Sequence, residues 1–186
     1  VKKFLVPILL GCISVSFTLM PAKQSAVNST ALFVSPVNDS AAIITDPASF
    51  LYGSMQLDCH GLSPEAFSYA WKGYQRLLRK NLIQRTDYLT ICDFSQSSCR
   101  KRSYIIDVAN QQLIINTYVA HGRNSGGEFA THFSNRSESL QSSLGFYITD
   151  HTYTGKHGLS LRINGVDPGY NDKAMMRTIV IHGAAY

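Results

Sequence analysis

The most regular pattern in the chain lies between Ser63 and Asn81. Phe67, Ala70, Trp71, Tyr74, Leu77 and Leu78 recur at helical spacing and fall on one face. Ser63 is a good N-cap, Pro64 suits the first helical position, and Glu65 suits the positive end of the helix dipole. Arg79 and Lys80 fit the last turn, and Asn81 can end it. The spacing predicts an amphipathic helix whose aromatic stripe packs a core. Beyond it the period changes to two. Strands are predicted at Tyr88–Phe94, Tyr104–Val108, Leu113–Ala120, Leu144–Thr149, Leu159–Ile163 and Thr178–His182. Asn110-Gln111 can turn the second into the third as a hairpin. A long polar stretch, GRNSGGEFATHFSNRSESLQSS, fills residues 122–143, and long ordered loops on strand scaffolds often carry function. The pattern reads as one helix followed by a mostly antiparallel β-domain, mostly β and α+β overall, with no internal repeat.

The start of the chain has a different character. Lys2 and Lys3 precede an apolar run from Phe4 to Met20, and small polar residues follow, which is the three-part pattern of a secretory signal. The run is at the lower limit of the roughly 20 residues that span a bilayer, so a single anchor is the competing reading. Cleavage near Ala22 or Ala26 makes residues 1–26 the signal and leaves no membrane span. Residues 27–56 begin rich in Ser, Asn, Thr and small side chains, and read as a tether or loosely ordered arm. Residues 57–186 then form the domain. Asn28, Asn38 and Asn135 begin Asn-x-Ser/Thr triplets.

Charge matters only after this division. The whole chain is +5, but Lys2, Lys3 and Lys23 leave with the signal, so 17 basic residues become 14 against 12 acidic ones, a net +2. That balance gives no argument for nucleic acid as a partner. About 160 remaining residues suit one domain. Export implies an oxidising compartment, and the three cysteines beyond the signal (Cys59, Cys92 and Cys99) are an odd number, so one is free or pairs elsewhere.

Three groups of residues can carry chemistry. His182 ends an apolar strand and precedes Gly183, which lets a ligand or backbone come close. It suits a general base for a nucleophile, or a hydrogen-bonded structural histidine. Cys92 and Cys99 bracket the loop CDFSQSSC and are expected to form a disulfide. In the competing reading Cys99 is a reactive thiolate, because Arg100, Lys101 and Arg102 follow it and nearby cations lower a thiol's pKa. Cys59 and His60 are sequence neighbours and point different ways in a strand. The histidines (His60, His121, His132, His151, His157 and His182) form no HExxH or paired CxxC pattern, so no metal is expected. No phosphate-cradling glycine loop or nucleotide motif is present.

Short motifs then accumulate in order: AHGRNSG at residues 120–126, FSN at 133–135, SSLGFY at 142–147, Gly155-Lys156-His157-Gly158, and IHGA at 181–184. This series resembles the murein L,D-transpeptidase catalytic-domain family, in its YkuD-like form, from about Leu57 to the end of the chain. The resemblance implies a compact, mostly β catalytic domain at the bacterial cell envelope or in the periplasm, acting on peptidoglycan stem peptides. It implies covalent catalysis by a cysteine thiolate, with a histidine as base and no metal or organic cofactor. His182 matches the histidine of the family's His-Gly motif. The family's thiol lies in a Ser-x-Gly-Cys segment after that histidine, and Cys59, Cys92 and Cys99 all precede it. A nucleophile missing from this chain is therefore expected, either in a truncated product of a longer gene or in a genuine short form. His121, in the second His-Gly pair, is expected to be a pocket or structural residue. Ser143, Gly145, Tyr147, Tyr153, Gly155, Lys156 and Gly183 are expected along the substrate groove, or alternatively as residues that shape turns and core. Arg177 is expected to meet a stem-peptide carboxylate or a surface acid. The competing function is a non-catalytic exported envelope protein that keeps the fold and the peptidoglycan groove.

Overall fold

The computed structural model describes residues 46–184, all within one compact unit. The expected signal peptide, the Asn28 and Asn38 triplets and most of the arm lie outside the described residues. Two helices, α1 (Pro47–Ser54) and α2 (Pro64–Arg79), precede six strands. Strands β1 (Tyr88–Cys92), β2 (Ser103–Asp107) and β3 (Gln112–Thr117) form one antiparallel sheet in that order. Strands β4 (Tyr147–Gly155), β5 (Gly158–Gly165) and β6 (Val180–His182) form a second. The mostly β, antiparallel reading holds. No helix among the described residues is long and apolar enough to cross a membrane.

Helix α2 begins and ends where its residues dictate. Ser63 Oγ accepts the amide of Ala66 at 3.1 Å, and Pro64 opens the first turn. Asn81 takes a positive φ of 51°, a conformation asparagine tolerates better than most residues and one suited to closing a helix. Phe67, Tyr74 and Leu77 are buried, and Phe67, Trp71 and Tyr74 stack in sequence along the face. Ser63→Ala is expected to cost about 1 kcal/mol, the usual value of an N-cap. A urea melt should show a lower midpoint with an unchanged slope.

The core joins α1, α2 and the first sheet. Ala48, Leu57, Leu62, Phe67, Ile91, Tyr104 and Ile106 are buried together. The arm expected through residue 56 is corrected here, since Pro47–Ser54 is a helix whose Ala48 enters this core, with Leu51 and Tyr52 packed against it. Strand β2 runs between two neighbours and buries both faces, as a central strand should.

Polar links join the second sheet to the first half of the domain. The Arg76 guanidinium on α2 pairs with Asp167 at 2.6 Å, and Asp167 also accepts the Phe146 amide at 2.6 Å. Buried Asn171 donates to the Phe146 carbonyl and accepts from the Asp167 amide. Gly145, at a φ of +122°, passes so close that a Cβ there would lie 2.6 Å from Asn171 and 2.7 Å from Asp167. Gly145 is thus the point where backbone and these two polar side chains close on each other.

Candidate active site

Two of the chain's four His-Gly pairs, His121-Gly122 and His182-Gly183, fall in the motif series, and their hydrogen bonds give them opposite chemistry. A guanidinium can only donate. Arg102 donates to His121 Nδ1 at 2.7 Å, so that nitrogen carries the lone pair. His121 Nε2–H then donates to the Gly126 carbonyl at 3.3 Å. Both ring nitrogens are engaged, Nδ1 by a buried arginine. His121 thus ties Arg102 to the backbone of its own loop. At His182 the assignment reverses. Its Nδ1 lies 2.8 Å from the Gly183 carbonyl, which can only accept, so Nδ1 carries the proton. The lone pair is left on Nε2, where no described residue takes it. That is the tautomer a general base needs.

The surroundings of His182 follow from strand pairing. In the antiparallel sheet Tyr153 pairs with Ser160, and Ser160 with His182. Directly opposed residues share a face, so these three form one row across β4, β5 and β6. The turn after Gly155 brings His157 onto the His182 ring, with centroids 4.5 Å apart and planes 14° from parallel. Ser160 is buried and donates to the Gly158 carbonyl at 3.1 Å. The Tyr153 ring covers Gly155, where a Cβ would meet it at 2.8 Å. The sequence singled out His182, Tyr153, Gly155 and Lys156 but did not foresee that the hairpin folds His157 onto His182.

The polar stretch of residues 122–143 has no regular element, yet it is closely tied. Buried Ser125 accepts the Ser142 amide on its hydroxyl and the Thr131 and His132 amides on its carbonyl. Arg177 clasps the far part of the loop. Its two terminal nitrogens reach the Ser134 and Gln141 carbonyls, both at 2.6 Å, and the Ser139 and Ser143 hydroxyls at 3.2 and 3.3 Å. Ser143 also bonds the Tyr147 hydroxyl at 2.7 Å, and desolvation pushes that phenol's pKa up. In this structure Arg177 meets the chain's own carbonyls and hydroxyls, and Ser143 is part of the same network.

The cysteines depart from expectation. Cys59, Cys92 and Cys99 are all free, so the expected Cys92–Cys99 disulfide is not formed. Cys92 ends β1 and turns its sulfur to Ser103 on the paired strand, at 3.7 Å. The residue as a whole is exposed, but packing around the sulfur desolvates it and pushes the thiol pKa up. The loop it was expected to close is held by other means. Asp93 accepts from Ser95 and Gln96, and Arg102 donates to the Gln96 carbonyl. Among the described residues no thiol bonds His182, and no group of three or more His, Cys, Asp or Glu side chains could hold a metal.

A groove of about 2770 Å³ runs along the two sheets. Leu82, Ile91 and Ile105 line one side, and Leu161, Ile163, Ile179 and Ile181 the other. Leu144, Gly145 and Phe146 lie between, and His121, Ser143, Arg177, His182 and Gly183 also border it. Its volume exceeds the roughly 300–1,000 Å³ of a small-molecule pocket.

The family model for the L,D-transpeptidase catalytic domain (YkuD_2) matches residues 58–186. No curated protein and no solved structure matches the chain significantly.

Proposed function

Because this chain belongs to the L,D-transpeptidase catalytic-domain family, we propose that it handles peptidoglycan stem peptides, with the stem in the groove along the two sheets and His182 as general base. The observation that carries this reading is the His182 tautomer: Nδ1–H is committed to Gly183, and Nε2 keeps its lone pair without a described partner, on a residue that borders the groove. In the full reaction Nε2 takes the proton of a thiol. The thiolate attacks the carbonyl before a terminal D-alanine, and the amine leaves with the proton returned by His182. An amine from a second stem, or water, then takes the acyl group from sulfur. Of the expected substrate residues, His121, Ser143, Gly145, Arg177, His182 and Gly183 border the groove, whereas Tyr153 does not and shares a row of the sheet with His182.

The thiol of this scheme is none of Cys59, Cys92 or Cys99. Cys92 sits in the first sheet with its thiol pKa raised, and no described thiol bonds the base. The same observation favours a second reading for the chain by itself, in which it binds stem peptides in the envelope without turning them over. Both readings predict binding. Titrating a tetrapeptide stem into the protein should shift NMR signals of Leu161, Ile163 and Ile181. Absence of binding, or shifts confined to the outer side of the first sheet, would overturn the groove assignment.

A further inference from the structure

His182 is exposed and ends the short edge strand β6, so close packing does not fix its ring. The torsion that turns an imidazole about its own axis has a broad minimum. The bond from Nδ1–H to the Gly183 carbonyl decides which edge of the ring faces the backbone. A single bond of this kind leaves the plane of the ring free to rock. The plane is set by His157, whose ring lies within 14° of parallel at a centroid distance of 4.5 Å. That geometry is an aromatic stack.

The hairpin is built to place His157 there. Gly155 pairs with Gly158, so Lys156 and His157 alone join β4 to β5. Gly158 takes a left-handed φ of 78°, which lets so short a loop close. Both legs of the turn are braced. The Ser160 hydroxyl donates to the Gly158 carbonyl at 3.1 Å, and the Tyr153 ring covers Gly155. Ser160 is also the residue directly opposite His182, so the brace and the histidine share one register position. The His157 ring itself is exposed, and its nitrogens bond no described residue. What it offers is a flat face, and His182 lies on that face.

We infer that His157 is a positioning residue for His182: its ring holds the plane of the imidazole, the Gly183 carbonyl holds its edge, and together they aim the Nε2 lone pair in one direction. The inference rests on His182 serving as the base, as proposed above. Without the stack the His182 ring turns out of plane, loses its bond to Gly183 and exchanges its proton between the two nitrogens.

The test is long-range proton–nitrogen correlation NMR on the full chain with isotope-labelled histidine, under mildly alkaline conditions in which imidazoles are ordinarily neutral. The His182 signals are those lost in His182→Gln. In the wild type they should report one tautomer, with the proton on Nδ1. In His157→Ala the excess of that tautomer should fall by about twofold to tenfold, the worth of one aromatic stack as a population ratio. His157→Phe keeps a ring to stack and should restore the wild-type pattern. The backbone amides of Tyr153 and Ser160 report the hairpin itself and should stay in place in both variants. A His182 that keeps its tautomer in His157→Ala overturns the inference and leaves the base standing. A change in His157→Ala that spreads through those amides, and that His157→Phe does not rescue, also overturns it, because the role is then structural. A wild-type His182 with its proton on Nε2 removes the base itself, and this inference falls with it.

Discussion

Gly73→Ala is expected to destabilise the protein by about 2 kcal/mol, although alanine is the better helix former. Gly73 lies inside α2, where the same change at an open position would stabilise by about 1 kcal/mol. Here the added Cβ would fall 1.9, 2.0 and 2.5 Å from three atoms of the Phe146 ring. The ring cannot move away with its backbone. The Phe146 amide is bonded to Asp167, and its carbonyl accepts from Asn171 and Val166. It must swing out about its own side-chain bonds, leaving α2 and the Arg76 guanidinium 5.2 Å from its centroid. Losing a buried aromatic contact and overpacking the site together cost about 1–3 kcal/mol or more, which outweighs the helix gain. A double-mutant cycle makes the argument specific. In a Phe146→Ala background the clash is gone, so Gly73→Ala should turn stabilising by about 1 kcal/mol. Equal costs in both backgrounds, read by urea denaturation, would show that Gly73 does not serve as the seat of Phe146.

This contact also shows what could be read from the sequence. Helix α2 was legible because its signals are local: Ser63, Pro64 and Glu65 start it, and the 3.6-residue stripe runs unbroken to Leu78. The six strands were legible from period-two runs, although β4 was expected to stop at Thr149 and continues to Gly155. The register shifts between Thr149 and Thr152, and the segment Asp150–Thr154 has too few apolar residues to show an alternation. Helix α1 was missed because its eight residues follow a stretch of small and polar ones and resemble its continuation. Nothing local shows that the strands divide into two sheets, or that Gly73 on one half receives Phe146 from the other.

The site divided along the same line. His182 stood out because a histidine and a glycine follow an apolar run, and the motif series gave it a role. Its proton position could not be read, since that depends on where the Gly183 carbonyl points. The difference between His182 and His121 is likewise set by partners distant in sequence, above all buried Arg102. The Cys92–Cys99 pairing was inferred from closeness in sequence and an oxidising compartment. Strand pairing instead turns Cys92 toward Ser103, and the loop between the two cysteines is already closed by Asp93 and Arg102.

The second large effect concerns the thiol itself. In a cysteine acyltransferase the nucleophile and base act as a unit, and loss of either removes nearly all the rate. On the proposed reading His182 is the base, and Cys59, Cys92 and Cys99 are assigned no part in the reaction. The most direct measurement is mass spectrometry of the purified chain after exposure to a carbapenem, which acylates a competent active-site thiolate, followed by peptide mapping. The protein should keep its unmodified mass at Cys59, Cys92 and Cys99, and should release no D-alanine from tetrapeptide stems through them. A stoichiometric adduct on one of these three, with D-alanine release abolished when that cysteine is changed to serine, would contradict the account.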